Sequence, residues 1–174
     1  MKWKDKLLKK LNSDLHKDTE WKIYIEKLNS DYPEIGIHLA VFSEPILTQL
    51  LKGKKTLESR MSTNRIPPFG KIKKDDIILV KKSGGAVVAV FVAGTVSSFT
   101  NLTPVKVKNL CIEYSEKLGI PIDDIFWKEK EQAKFATIIA VKHLKKIAPY
   151  VIDKRDRTAW VILQERTDNS IFQK

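Results

Sequence analysis

The segment at residues 76–99 places the strongest constraint on the fold, because it has the pattern of two strands joined by a tight turn. DIILVKK is a short run rich in β-branched residues, which favours a strand. Ser83, Gly84 and Gly85 follow it with the composition of a hairpin turn. AVVAVFVAGTVSSF then predicts a long apolar strand with a bulge or bend at Gly94. We therefore expect a β-hairpin to form a main part of the core.

Four other segments predict strands, and they do not alternate regularly with helices. The predicted strands are IHLAVF at 37–42, KTLESR at 55–60, KFATIIAVKHL at 134–144 and RTAWVIL at 157–163. Helices are predicted over 45–52, 104–118 and 125–132, and residues 145–156 are predicted to be a basic loop. Five or six short strands with few helices between them favour a small mixed barrel over a doubly wound sheet.

The helix predicted over 104–118 has recognisable signals at both of its ends. Thr103 is a typical N-cap residue, and Pro104 has the backbone angle that suits the first helical position. Gly119 can take the left-handed conformation that commonly ends a helix.

The N-terminal part differs in pattern from the rest of the chain. Residues 1–29 predict two amphipathic helices, because leucine and aromatic residues recur there at helical spacing. Pro33 then marks a break in the chain. We expect a helical extension over residues 1–33, a barrel domain over 36–164 and a polar tail over 165–174.

Charge gives a first indication of the partner. The chain has 174 residues, enough for one ordinary domain, and a formal net charge of +11. The positive excess is spread along the chain rather than gathered in a terminal tail. This favours a polyanionic partner such as RNA or DNA, because neutralised phosphates supply affinity that does not depend on sequence. The alternative is a small-ligand or protein-interaction module whose basic surface only keeps it in solution.

Several kinds of site are not predicted. Cys111 is the single cysteine, so an intramolecular disulfide and a multi-cysteine zinc site are excluded. His16, His38 and His143 do not have the spacing of metal ligands, and we expect no metal and no cofactor. No apolar leader and no apolar run of about 18 residues occurs. We expect a cytoplasmic monomer without a membrane partner.

The stretch KGKKTLESR at residues 52–60 contains the best candidate for a site. On a strand, alternate side chains share a face, so Glu58 and Arg60 would project together with Lys55 at the mouth of the strand. An arginine held by a carboxylate presents a fixed fork that suits a phosphate or a base edge. The alternative is a surface ion pair worth less than ~1 kcal/mol.

Gly53, Lys55, Glu58 and Arg60 reproduce the pattern G-x-K-x-x-E-x-R. They follow a strand and a helix and precede KIKKDDIILVKK, the glycine hairpin, the apolar strand and AWVIL. In this order the chain resembles the ASCH domain of the PUA-like superfamily over residues 36–163. The resemblance implies an α+β fold, with a PUA-like mixed β-barrel of five to six strands, flanking helices and the N-terminal helical extension outside it. It also implies a cleft that binds RNA or a nucleotide-like ligand.

Further candidates for ligand or nucleic-acid binding come from basic, aromatic and turn positions. They are Asn64 and Arg65 on the loop after the motif, Ser83 and Gly84 at the hairpin, Trp127 and Lys128 as a stacking plane with a charge, and the basic cluster Lys154, Arg155 and Arg157. Trp127 has the alternative of a core residue, and the basic cluster has the alternative of a solvated loop.

The resemblance leaves a hydrolase as the alternative function. Some ASCH-type proteins hydrolyse an acylated nucleoside amide with a lysine and a threonine of this motif, and others are ribonucleases. Lys55 occupies the lysine position, but Glu58 stands where the threonine would be, and Thr56 is an alternative hydroxyl. If the protein is an enzyme, Lys55 and Glu58 are its candidate catalytic residues; otherwise no catalytic residue is assigned. The glutamate favours binding over cleavage.

Overall fold

The predicted hairpin lies at the centre of a six-stranded sheet in the computed structural model, which describes residues 3–167. The strands are β1 Ile37–Phe42, β2 Leu57–Ser62, β3 Ile77–Lys82, β4 Val87–Phe99, β5 Phe135–Tyr150 and β6 Trp160–Gln164. The helices are α1 Trp3–Leu15, α2 Lys22–Leu28, α3 Ile46–Leu51, α4 Pro104–Leu118 and α5 Ile125–Glu129. The predicted α+β class and strand number are confirmed.

The order of the strands is β2-β5-β4-β3-β1-β6. Strands β1 and β3 are parallel, and the other neighbouring pairs are antiparallel. In a flat sheet, β2 would lie four strand spacings, roughly 19 Å, from β1. Arg60 of β2 nevertheless donates a hydrogen bond to the backbone oxygen of Val41 in β1, at 3.0 Å. The sheet therefore curls into a half-barrel whose two edges approach each other.

Gly94 lies where β4 bends, as the sequence predicts. The register between β4 and β5 shifts between Ala93 and Val96. A Cβ atom at Gly94 would lie 3.0 Å from the Cβ of Ala140 on the neighbouring strand. The bend thus brings two backbones closer than a larger residue would allow.

Strand β5 is longer than the sequence predicts. Residues 145–150 belong to this strand, so the prediction of a loop from 145 to 156 is wrong over its first part. Lys145 pairs with Val90 of β4, and Tyr150 pairs with Val87. Between them, Ile147 packs against the core. The lysines in this segment obscure its strand character in the sequence, because only cross-strand pairing with β4 fixes it.

The N-terminal helices share a core with the sheet. Leu7, Leu11 and Leu15 of α1 are buried in one cluster with Leu39 of β1 and Leu79 of β3, among other residues. None of the helices in residues 3–167 is long and apolar enough to cross a membrane. Residues 168–174 of the predicted polar tail lie outside the described residues.

Helix α4 has the ends that the sequence predicts. The side chain of Thr103 accepts a hydrogen bond from the backbone N–H of Lys106 at 3.3 Å. Gly119 follows the helix with a left-handed φ of 67°. A separate buried cluster, which includes Leu110 and Leu118 of α4, lies between α4, α5 and strands β2 and β5. Helix α5 ends at Glu129, three residues earlier than predicted.

Candidate functional site

Lys55, Glu58 and Arg60 form one contiguous polar cluster at the edge of the half-barrel. Glu58 lies between the two cations, with Lys55 Nζ 3.2 Å from its Oε2 and Arg60 Nε 2.8 Å from its Oε1. Lys55 Nζ also donates to the backbone oxygen of Leu118 at the end of α4, at 2.9 Å. Lys55 and Glu58 are only 2% and 4% exposed, so the alternative of a surface ion pair is wrong.

The guanidinium of Arg60 is fixed from several directions. Its Nη2 donates to Val41 O at 3.0 Å, and its Nη1 lies 3.5 Å from Ala159 O. The Nε–H bond does not point at Glu58, so that contact is an ion pair rather than a hydrogen bond. The guanidinium carbon lies 5.2 Å from the ring centre of Phe42 and 5.3 Å from that of Trp160. About a fifth of the side chain remains exposed, at 21%.

A cleft of about 310 Å³ opens above this cluster. Strand β2, the end of β1, the loop at 66–69, helix α5 and the start of β6 contribute to its wall. The apolar part of the lining includes Phe42, Ile66, Pro67, Phe69, Phe126 and Trp160, and the polar part includes Ser43, Ser62, Arg60 and Lys130. Aromatic side chains, the three cations Lys55, Arg60 and Lys130, and the carboxylate of Glu58 therefore line the same small space.

A buried network holds Trp160 in the wall of this cleft. The indole Nε1–H of Trp160 donates to Nδ1 of His38 at 3.1 Å, so Nδ1 acts as the acceptor. The other ring nitrogen of His38 lies 3.3 Å from Oδ2 of Asp76. The Nδ1 acceptor assigns the proton of a neutral His38 to Nε2, where it can be donated to Asp76. Trp160 is thus connected by hydrogen bonds, through His38, to the buried carboxylate of Asp76.

Asp76 is the acceptor on which this network converges. Its carboxylate also accepts from the backbone N–H of Gly36 at 2.6 Å, from that of Lys73 at 2.7 Å, and from Arg166. Burial alone would raise its pKa, but the hydrogen bonds from His38, Arg166, Gly36 and Lys73 outweigh burial and hold the pKa below its usual value. Asp76 therefore stays ionised at neutral pH.

The loop after the motif lies beside the cleft. Asn64 and Arg65 are exposed and do not line the cleft themselves. The guanidinium of Arg65, however, lies 5.7 Å from the ring centre of Phe69, which does line it. Arg65 is thus a cation at the rim, whereas the Asn64 backbone oxygen accepts a hydrogen bond from the hydroxyl of Ser62.

Trp127 and Lys128 lie away from the cleft. Trp127 is 7% exposed, is buried in the same cluster as Leu110 and Leu118 of α4, and donates its indole N–H to Pro121 O at 2.9 Å. The alternative, that Trp127 is a core residue, therefore describes its position. Lys128 is exposed outside the cleft lining. The neighbours Phe126 and Lys130 line the cleft instead, with Lys130 Nζ 5.7 Å from the ring centre of Phe126.

The hairpin and the basic cluster are also outside the cleft lining. Ser83 and Gly84 form an exposed turn. Lys154 is paired with Asp156 at 2.8 Å, and Arg155 is paired with Asp153 at 2.9 Å. Arg157 is exposed, and the two acidic partners neutralise much of the charge of this cluster.

Thr56, the hydroxyl considered for catalysis, is exposed and does not line the cleft. Within residues 3–167, no group of three or more His, Cys, Asp or Glu side chains is placed to hold a metal ion.

Sequence reasoning missed the aromatic wall of the cleft. Phe42 and Trp160 come from β1 and β6, which are far apart in the chain, and Phe69 and Phe126 come from two other segments. The available signal was their position at the ends of predicted strands and in loops. That signal does not say which aromatic residues meet.

No protein-family model matches this sequence, and no curated protein matches it. Among solved structures, the chain is similar to the ASCH protein of Zymomonas mobilis, with a TM-score of 0.58 and 14% sequence identity over 74% of this chain and 88% of that one. Two mutant forms of the same protein match with TM-scores of 0.57 and 0.58 and identities of 14% and 15%. They cover 74% and 75% of this chain, and 91% and 90% of theirs. The chain therefore has an ASCH-type fold.

Proposed function

We propose that this chain, with its ASCH-type fold, binds RNA or a nucleotide-like ligand in the cleft beside Arg60. The observation that carries the proposal is the fixed guanidinium of Arg60, a side chain that is 21% exposed, lines the cleft and has two aromatic rings beside it. Arginine presents its donors in a rigid planar fork that matches a phosphate or the acceptors of a base edge. Because neighbouring groups already hold this fork, little conformational entropy is lost when a ligand binds.

The size and lining of the cleft suit one base or nucleoside. Its volume of about 310 Å³ lies at the lower end of the range for ligand pockets, which is roughly 300–1,000 Å³. Single-stranded RNA is recognised largely by stacking splayed-out bases on aromatic side chains and by hydrogen bonds to their edges. Phe69 and Phe126 are half-buried and offer ring surfaces, whereas Phe42 and Trp160 are buried against Arg60, and Ser43 and Ser62 offer hydroxyls.

Positive charge near the cleft supports an anionic ligand. Lys130 lines the cleft and Arg65 lies at its rim, and neither is paired with a carboxylate within residues 3–167. The overall charge of +11 would add attraction for phosphates at longer range. The basic cluster at Lys154 and Arg155 is largely neutralised, so we propose only a minor contribution from it.

Replacement of Arg60 by lysine tests the proposal directly. We expect R60K to weaken binding of nucleotides and short RNA by roughly tenfold or more, since lysine keeps the charge but loses the planar fork. The measurement is titration of nucleoside monophosphates and single-stranded RNA oligonucleotides, with circular dichroism to check that the variant is folded. R155K is the matched control, because Arg155 is 86% exposed and paired with Asp153 away from the cleft. Equal affinity of R60K and wild type would contradict the proposal.

Binding, rather than hydrolysis, is the function we propose for the cluster. Lys55 Nζ is engaged by both Leu118 O and Glu58, and Thr56 lies outside the cleft lining. We expect RNA oligonucleotides and acylated cytidines to remain intact after incubation with the protein, with and without divalent metal. Cleavage that disappears in a Lys55 variant would favour the hydrolase instead.

A further inference from the structure

A second, larger groove opens directly from the cleft. It has a volume of about 910 Å³ and runs along the start of α3, the end of α4 and helix α5. The cleft and the groove share Ser43, Ile46, Ile120 and Phe126 as lining residues. A ligand seated in the cleft therefore has the groove as one of its neighbouring spaces.

The groove carries the opposite charge to the rest of the protein. Within the described part of the chain, four carboxylates line it and no lysine or arginine does; the four are Glu44, Glu116, Asp124 and Glu129. Asp124 caps α5 by accepting from the N–H of Phe126 at 2.8 Å, and Glu44 accepts from Thr48 and lies 3.9 Å from the ammonium of Lys82. Glu116 and Glu129 are exposed, and their carboxylates make no hydrogen bond or ion pair with other residues in the described range 3–167. In a chain of net charge +11, this is a local concentration of negative charge.

The cations near the cleft lie in other parts of its wall. Lys130 follows α5 and lines the cleft but not the groove, and its Nζ lies 5.7 Å from the ring centre of Phe126, which lines both. Arg65 lies over Phe69 in the 66–69 loop, which lines the cleft but not the groove. The cleft thus has a cationic rim and an anionic neighbouring groove.

We propose that the acidic groove acts as a specificity element which keeps phosphate out and so fixes the orientation of a bound nucleotide. This inference rests on the proposed function. A phosphate directed into the groove would approach the carboxylates of Glu116 and Glu129, which are unpaired within residues 3–167, whereas a phosphate directed to the rim would meet Lys130 and Arg65. With the base held by Arg60, the 5′ and 3′ oxygens of the ribose point in different directions.

The consequence is a restricted ligand class. A nucleotide with phosphate at only one ribose position can place that phosphate at the cationic rim and none in the acidic groove. A nucleoside has no phosphate that the groove would repel. An internal nucleotide of a continuous strand has phosphates at both positions, and one of them would be directed towards the groove. The cleft therefore prefers a free nucleotide or the terminal nucleotide of a strand.

The test compares the 5′- and 3′-monophosphates of the four nucleosides, and the nucleosides themselves, on wild type and on E116Q/E129Q. These substitutions remove two charges without removing a side-chain contact. We expect wild type to prefer one monophosphate isomer. We expect the double variant to bind the weaker isomer about fivefold more tightly at low salt, by removal of two repulsive charges at roughly 10 Å. Nucleoside affinity should change less than about twofold, and the gain should shrink at high salt.

The matched control is D31N/E34Q, which makes the same change in net charge at two exposed positions outside both the cleft and the groove. The inference is overturned if wild type binds both isomers equally, or if E116Q/E129Q gains no more than this control. If wild type binds none of these ligands and no RNA, the proposed function fails and this inference fails with it. If nucleosides bind but the two monophosphate isomers bind equally, the proposed function stands and only this inference is overturned.

Discussion

Replacing Asp76 with alanine is expected to destabilise the protein by about 3–5 kcal/mol, because the substitution removes a buried anion from polar groups arranged around it. Asp76 is 1% exposed. Without its carboxylate, the N–H groups of Gly36 and Lys73 and the side chain of Arg166 lose a buried acceptor. Each unsatisfied buried donor costs roughly 1–3 kcal/mol. The thermal midpoint should fall by about 10 °C, if the variant folds.

The same residue should make stability sensitive to acid. The pKa of Asp76 is lower in the folded state than in the unfolded chain, so the unfolded chain binds the proton more strongly. The stabilising contribution is therefore complete above the unfolded pKa near 3.8 and is lost as the pH falls through the folded pKa.

Urea unfolding from pH 7 to pH 2 measures this contribution. In D76N, which keeps the shape but cannot ionise, the free energy of unfolding should fall less steeply over the acid range than in wild type. D153N is the control, since Asp153 is an exposed carboxylate with a lowered pKa caused by Arg155. If D76N and wild type lose stability in parallel below pH 4, Asp76 does not carry the acid dependence.

Replacing Glu58 alone with leucine is the second change with a large expected effect. Among residues 3–167, E58L leaves the buried ammonium of Lys55 with only the Leu118 carbonyl as a partner, and it removes the carboxylate beside Arg60. Removal of one member of a buried ion pair typically costs about 3–5 kcal/mol, because the other charge stays desolvated. We expect a loss of that size in urea unfolding, together with weaker nucleotide binding.

The double variant K55M/E58L separates the ion pair from its surroundings. Replacing both charges with apolar side chains of similar size is often nearly neutral, so we expect the double variant to recover most of the stability lost in E58L. Nucleotide binding should stay weak, because Arg60 still lacks Glu58. If the double variant loses as much free energy of unfolding as K55M and E58L lose together, this account of the cluster is contradicted.

The predictions that held concern features that a few neighbouring residues decide. The hairpin turn at Ser83–Gly85, the bend at Gly94 and the ends of α4 follow from glycine backbone freedom and from a threonine cap. The motif strand was also found, although it runs from Leu57 to Ser62 instead of over the predicted 55–60, and alternation places Glu58 and Arg60 on one face. These are local properties, which the surrounding fold changes little.

The predictions that were altered depend on contacts between distant segments. Residues 145–150 extend β5 because β4 lies beside them to pair with. Phe126 rather than Trp127 lines the cleft, because the packing of α5 against α4 decides which side of this short helix is buried. Lys154 and Arg155 have acidic partners two residues away, and only their side-chain positions show that the charges are paired.

The sequence by itself determined the strands, the turn, the caps and the polar motif, because periodicity and backbone preference act over a few residues. The tertiary structure alone decided that the motif becomes a site. Arg60 reaches Val41 and Ala159, which are 19 and 99 residues away, only because the sheet curls until its edges meet. The same curvature places Trp160 beside Arg60. Sheet curvature results from twist, bulges and packing summed over all six strands, and no short stretch of sequence specifies it.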